Sequence, residues 1–266
     1  MTLPALLLVG GGAMGGAMLS GWIEAGVSQV VVIDPAPASA GLAGPGVTVV
    51  PDAAAVPTGF DPACVILAVK PQKADAVLPG LVRFGGVALS IMAGPTIGRL
   101  GAVLTGPVVR AMPNTPAAIR QGITVACAGP GVSAVQRALC DALLRAVGVV
   151  EWVDDEGLLD AVTAVSGGGP AYVFLLAELL EQAAIAEGLP VPLARRLARV
   201  TVAGSGALLA ARAEDAALLR RQVTSPAGTT ERALAVLMGE GAWPALVPRA
   251  IAAAAARSRE LAVIKP

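Results

Sequence analysis

Leu6-Leu7-Leu8-Val9-Gly10-Gly11-Gly12-Ala13-Met14-Gly15 decides how the first half of this chain is read. Four consecutive apolar residues suit a strand that is buried on both faces. The glycines then fall in the order G-x-G-x-x-G and open a helix whose apolar positions run through Met18, Trp22 and Ile23 to Gly26. In such a turn Gly10 permits the tight bend, Gly12 lets the backbone approach a pyrophosphate, and Gly15 brings the helix close to the strand. The first N–H groups of the helix then face the phosphates. A glycine-rich turn in any α/β protein has a similar composition, so the surroundings have to decide.

Outward from that turn, apolar runs suited to buried parallel strands recur at Val30–Ile33, Val65–Val69, Val87–Ile91 and Val108–Met112, separated by helical or loop segments. The alternation predicts right-handed βαβ crossovers and a doubly wound parallel sheet, with ligands at the carboxyl ends of the strands. Asp34 closes the second run about twenty residues after the glycines, where a carboxylate can accept hydrogen bonds from an adenosine ribose. No Arg stands in residues 35–39 to meet a 2′-phosphate, and carboxylate and phosphate repel, so the local chemistry leans towards NAD rather than NADP. Capping of a turn before Pro35 is the structural alternative for Asp34. Ala68-Val69-Lys70-Pro71-Gln72 leaves the sheet at the same cleft, where Pro71 fixes the turn without an amide donor and Lys70 is either functional or simply solvated. Ser90-Ile91-Met92-Ala93-Gly94 and Arg110-Ala111-Met112-Pro113-Asn114-Thr115-Pro116 end two later strands in the same way, with small residues and one amide side chain at the nicotinamide end of the cleft.

From about Asp154 the apolar period becomes 3.6, through Leu158, Ala161, Val162 and Val165 and then Val173, Leu176, Ala177 and Leu180. The expected domains are therefore 1–153, α/β, and 154–266, helical. Ser166-Gly167-Gly168-Gly169-Pro170-Ala171 is a break before a long helix, and Pro170 suits a first helical turn. Small residues at Ala183, Ala184, Ala198, Ala203, Gly204 and Gly206 allow close packing, either inside a bundle or against a second protomer. Gln222-Val223-Thr224-Ser225-Pro226-Ala227-Gly228-Thr229-Thr230 interrupts the helices before another that starts near Glu231 and ends around Met238. A helix start rich in hydroxyls and free amides can hold a substrate carboxylate without a cationic side chain. Plain N-capping by the threonines is the alternative.

Composition narrows the chemistry. Lys and Arg total 19 against 19 Asp and Glu, so nothing marks the chain for nucleic acid or an anionic membrane, and small molecules and other protein chains are the expected partners. Mean hydropathy is +0.73, with alanine supplying much of it. Residues 1–23 carry no charge, yet no basic residue precedes their apolar run, and the glycines fit strand, turn and helix better than an export signal or a membrane span. Cys64, Cys127 and Cys140 lack C-x-x-C spacing and read as small buried hydrophobes in a reducing, cytoplasmic compartment. The absence of histidine excludes Ser-His-Asp and Cys-His catalysis, a histidine base and the H-E-x-x-H zinc site, and no metal site is expected.

Val69-Lys70-Pro71, Arg110-Ala111-Met112-Pro113-Asn114, Asp160-Ala161-Val162-Thr163 with Ser166-Gly167-Gly168-Gly169-Pro170-Ala171-Tyr172, and Val223 to Thr230 together resemble pyrroline-5-carboxylate reductase. The resemblance spans almost the whole chain in order. It implies a Rossmann-like domain joined to an all-α dimerisation domain, active sites at a dimer interface, often a pentamer of dimers, and reduction of 1-pyrroline-5-carboxylate to L-proline with NADPH or NADH. It also implies that Val9, Gly10, Gly11, Gly12, Ala13 and Met14, with Ala68, Val69, Lys70 and Pro71 and with Met92, Ala93 and Gly94, bind the cofactor, beside Asp34, which is read from its position alone. Glu156, Gln222, Ser225, Gly228, Thr229 and Thr230 are placed by it around the substrate, and Thr230 at the imine nitrogen as the catalytic residue. Three positions depart from the family pattern. Gly168 replaces a usual Ser, Ala227 replaces a Gly and would be strained if that position needs positive φ, and Asp34 runs against the usual preference for NADPH. Rival readings are a β-hydroxyacid dehydrogenase, whose lysine in the second domain has no counterpart between Lys73 and Lys265, a catalytically silent dinucleotide-binding redox sensor, and a reductase of a related cyclic imine.

Overall fold

A computed structural model describes residues 3–263, so Lys265 lies outside the described residues. Contacts divide the chain into two compact units, Met1–Gly167 with Ala254–Pro266, and Gly168–Ala253.

The first unit is built on one eight-stranded sheet of order β3-β2-β1-β4-β5-β6-β7-β8. Strands β1 (Leu6–Val9), β2 (Val30–Ile33) and β6 (Val108–Met112) have the expected bounds. Strand β4 is Cys64–Leu67 and β5 is Val87–Ser90, so Val69 and Ile91 lie just past the strands expected to hold them. Three strands went unread: β3 (Val47–Val50), β7 (Gly122–Ala128) and β8 (Gly148–Val153). Their side chains are not continuously buried, as Thr48, Ile123 and Glu151 show, and a search for unbroken apolar runs misses such strands. The sheet is also not wholly parallel, because β6 and β7 pair antiparallel while every other pair is parallel.

Alternation along β1 sends Leu6 and Leu8 into the core on one face of the sheet and Leu7 and Val9 into the core on the other. Each fully buried aliphatic side chain contributes about 1.5–3 kcal/mol by leaving water, so the apolar strands are held from both sides. Helix α1 (Ala13–Glu24) covers the first face with Met18, Leu19 and Trp22, and Trp22 Nε1 donates to the Leu143 carbonyl at 2.9 Å. That bond ties α1 to a later helix of this unit. The short helices α2 (Ala74–Val77) and α3 (Ile97–Gly101) precede α4 (Ala134–Arg145), which Ser133 and Gln136 start with a capping box. Helix α5 (Leu158–Val162) runs into a π-turn at Thr163–Gly167.

The second unit is helical: α6 (Gly169–Ala186), α7 (Val191–Ala211), α8 (Ala216–Gln222), α9 (Thr229–Leu237) and the beginning of α10 (Trp243–Val263). Pro170 does stand in the first turn of α6. Helices α6 and α7 pack together and share an ion pair, Arg195 Nε to Glu181 Oε1 at 3.0 Å. Phe174 on α6 and Val200 on α7 remain 67% and 65% exposed in the single chain. By length and composition alone, residues 158–186 could also cross a membrane.

Helix α10 returns the chain to the first unit from Ala254 onward. There Ser258 Oγ donates to Asp160 Oδ1 at 2.6 Å, and Ala255 and Ser258 are buried.

Candidate functional site

Strand β1 has β2 on one side and β4 on the other, so the connections leaving β1 and β4 depart from the topological switch point of the sheet. Gly10 sits there with φ 102°, and a Cβ on it would lie 2.7 Å from the Ala68 carbonyl oxygen. Only glycine allows that conformation and that approach. A Cβ on Gly15 would overlap the Gly10 carbonyl oxygen, so the helix can begin this close to the turn only with glycine. A Cβ built on Gly12 would meet nothing within 4 Å apart from its chain neighbours, so the backbone there is open to a ligand. The first N–H groups of α1 have no intrahelical acceptor, and with the helix dipole they form a place for a pyrophosphate.

Asp34 completes this cradle from the end of β2. Its Oδ2 accepts from the Gly11 N–H at 2.6 Å and its Oδ1 accepts from the Ala36 N–H at 2.9 Å. The alternative role as a turn cap is thus realised together with proximity to the glycine turn. A methyl group built on Gly11 would meet Leu42 Cδ1 at 2.6 Å and Ser39 Oγ at 3.3 Å, so these two residues close the same corner. Neither was singled out from the sequence; a hydroxyl within the turn after Asp34 is the only signal that could have pointed to Ser39.

The loops leaving β4 and β5 lie at the same edge of the sheet. Ala68 N–H donates to the Val9 carbonyl at 2.8 Å, which holds Ala68 and Val69 beside the turn, while Lys70 is exposed and Pro71 opens a short 3-10 turn. Met92 is buried, with its N–H 3.4 Å from the Ser90 hydroxyl. Ala93 is half-buried, and Gly94 backs onto the main chain of Leu261 in α10. All the residues expected to bind the cofactor, from Val9 to Gly94, therefore fall in the first unit at the carboxyl ends of β1, β2, β4 and β5.

Glu156 also belongs to the first unit. Its Oε1 accepts from the Arg110 guanidinium at 2.9 Å and from the Ile97 N–H at 2.8 Å. Asn114 holds the strand ends beside it, accepting from the Ile123 N–H at 3.0 Å and donating to Ser166 Oγ at 3.3 Å. Ser166 lies in the π-turn, an irregularity often found at functional sites.

Gln222, Ser225, Gly228, Thr229 and Thr230 are in the second unit, around the start of α9. Gly228 is the N-cap and no threonine side chain caps the helix, so the capping alternative for Thr229 and Thr230 is not what the structure adopts. Both hydroxyls are exposed at the helix start. Ala227 has φ 56°, the left-handed conformation that the glycine of the family pattern would adopt freely, and its N–H donates to Glu231 Oε2 at 2.8 Å.

Two family descriptions match the chain: pyrroline-5-carboxylate reductase dimerisation over residues 156–261, and NADP oxidoreductase, coenzyme F420-dependent, over residues 5–94. The chain is 41% identical over 271 residues to the pyrroline-5-carboxylate reductase of Pseudomonas aeruginosa, covering 98% of each chain. It is 38% identical to the enzyme of the same name from Mycobacterium leprae, covering 97% of each. Among solved structures it is similar to a pyrroline-5-carboxylate reductase from Coxiella burnetii, with TM-score 0.86, 32% identity, and coverage of 97% of this chain and 98% of that one. It is also similar to pyrroline carboxylate reductase of Plasmodium falciparum with NADP bound, at TM-score 0.83 and 25% identity over 97% of this chain and 98% of that one.

Proposed function

This chain belongs to the pyrroline-5-carboxylate reductase family, and from that premise we propose that it reduces 1-pyrroline-5-carboxylate to L-proline with a nicotinamide dinucleotide as hydride donor. It is an oxidoreductase acting on a C=N bond, the last step in making proline. The observation that carries the reading is the cradle of Gly10, Gly12 and Gly15, with Asp34 at its corner, at the switch point of the sheet.

That cradle fits NADH or NADPH, which supplies the hydride when bound. Gly12, Ala13 and Met14 would hold the pyrophosphate on backbone N–H groups, while the Gly11 N–H is taken up by Asp34, whose free lone pairs would accept from the adenosine ribose. Ala68, Val69, Lys70 and Pro71 with Met92, Ala93 and Gly94 line the rest of the cleft. The substrate imine takes its proton from water before binding, so no histidine is needed. The start of α9, with Ser225, Gly228 and Thr229, holds the substrate carboxylate on hydroxyls and N–H groups, with Gln222 at the end of α8 before it. Thr230 places its hydroxyl on the ring nitrogen and fixes the imine carbon for hydride addition, which turns C=N into a secondary amine.

On this reading residues 1–153 serve the dinucleotide and residues 154–266 serve dimerisation and the substrate. The family match supports self-association, and exposed apolar side chains such as Phe174 and Val200 are surfaces a second copy would cover. A dimer, with a pentamer of dimers as its higher form, and a cytoplasmic place without nucleic-acid or membrane partners follow from the resemblance and the balanced charge. A catalytically silent sensor is favoured by one feature only, the strained Ala227 in the substrate loop.

The test is loss of absorbance at the reduced-nicotinamide band with 1-pyrroline-5-carboxylate, run with NADH and with NADPH, and proline identified as the product. Folded protein that binds a dinucleotide yet turns over with neither would sink the assignment.

A further inference from the structure

We propose that Asp34 makes this chain select NADH over NADPH, through a carboxylate fixed at the ribose corner of a cradle that contains no cation. The inference rests on the use of a nicotinamide dinucleotide proposed above and not on which imine is reduced.

Asp34 follows β2 directly, beside the glycine turn that follows β1. Two backbone donors set its orientation: the Gly11 N–H at 2.6 Å on one oxygen and the Ala36 N–H at 2.9 Å on the other. Each carboxylate oxygen has a further lone pair, so the group can still accept from the two hydroxyls of a ribose. A 2′-phosphate would replace one of those donors with an acceptor and bring like charge to the same corner. A carboxylate tied to the backbone at both oxygens cannot swing away to relieve that repulsion.

What would offset it is a lysine or arginine, and the surrounding chain has none. No Lys or Arg precedes Lys70, so β1, β2, β3 and every connection between them lack basic side chains. The charged residues in that span, Glu24, Asp34, Asp52 and Asp61, are all acids. Lys70 itself follows β4, on the opposite side of β1 from β2, and its side chain is exposed. Ser39 is buried at the same corner and offers a hydroxyl but no charge. The pocket is therefore built for a neutral diol, even though one similar structure is described with NADP bound.

The experiment is calorimetric titration of the intact protein with NADH, NADPH, AMP and adenosine 2′,5′-bisphosphate, the last two differing only in the 2′-phosphate. The expected result is binding about tenfold or more tighter for NADH than for NADPH, and for AMP than for the bisphosphate. Asp34→Asn, which keeps an acceptor for the Gly11 N–H while removing the charge, should shrink the NADH-to-NADPH ratio by about tenfold. NADPH binding as tightly as NADH to the unaltered protein overturns the proposal, as does a ratio unmoved in folded Asp34→Asn. Should that variant misfold, the two nucleotide fragments on the unaltered protein decide alone. If none of the four ligands binds, both this inference and the dinucleotide reading fail. Selective NADH binding without imine turnover would support the inference and sink only the reaction.

Discussion

Arg110 and Glu156 form an ion pair at 2.9 Å in which the arginine side chain is only 3% exposed. The same Glu156 oxygen accepts from the Ile97 N–H, so β6, the start of α3 and the turn before α5 meet at a single atom. Arg110 Nε and Nη2 have no partner among the described residues, which leaves the carboxylate as the main compensation for a buried cation. Glu156→Ala is expected to destabilise the protein by about 3 kcal/mol, whereas Arg110→Met, which removes the charge together with the pair, should cost clearly less. Denaturant midpoints of the two variants check this. The reverse order would show that the guanidinium contributes by packing instead.

Ala227 holds φ 56° in the loop before α9, a conformation that costs a residue with a Cβ about 1 kcal/mol. Ala227→Gly should raise stability by roughly 0.5–1 kcal/mol, since the relief of strain is partly offset by the larger entropy that glycine loses on folding. Thermal and urea unfolding measure it. A loss of stability would mean that the loop relaxes around alanine more completely than its φ indicates.

At Gly15 an added methyl would collide with the Gly10 carbonyl oxygen inside the glycine turn. Gly15→Ala should therefore weaken dinucleotide binding by about tenfold or more while leaving the helical second unit folded. Calorimetric titration with NADH, alongside circular dichroism, tests the point; unchanged affinity would place the pyrophosphate elsewhere.

Thr230 is exposed at the first turn of α9, where its hydroxyl is not used as a cap. Thr230→Ala is predicted to lower kcat by about tenfold to a hundredfold, the scale of one lost oriented hydrogen bond in a reacting complex, with dinucleotide affinity unchanged. Thr230→Ser should recover most of the rate. Full activity in the alanine variant would remove Thr230 from the imine nitrogen.

Cys64, Cys127 and Cys140 are all buried. Burial first, and then the neighbouring Cys140, pushes the Cys64 thiol well above its ordinary range; burial first, then Glu156 and the acids beside it, raises Cys127. The thiolate is the reactive form, so titration of the native protein with a disulfide reagent near pH 8 should detect no fast thiol, and the unfolded protein should show all three. Rapid modification of the folded chain would point to opening of the first unit around β4 and α4.

The sequence by itself determined the alternating βαβ order of the first unit, the glycine turn at its switch point, the helical second half and the absence of histidine chemistry. These are local properties: β1 and β2 are legible because every residue in them is apolar and buried, β6 because only Arg110 interrupts its apolar run, and the turn because only glycine fits where Gly10 and Gly15 stand. Tertiary structure alone decided the rest. Strands β3, β7 and β8 are exposed along part of their length, so their sequences do not announce them, and the antiparallel pairing of β7 with β6 depends on a partner strand rather than on β7 itself. The position of Asp34 at the end of β2 was legible, but its two backbone donors and its neighbours Ser39 and Leu42 appear only once β2 lies beside β1. Glu156 was singled out only through the family resemblance, and its bond to Arg110 across 46 residues had no signal in the sequence. The return of α10 to the first unit through Ser258 and Asp160, 98 residues apart, has no local signature, because a hydrogen bond between distant residues depends on where folding brings them and not on the periodicity of either segment.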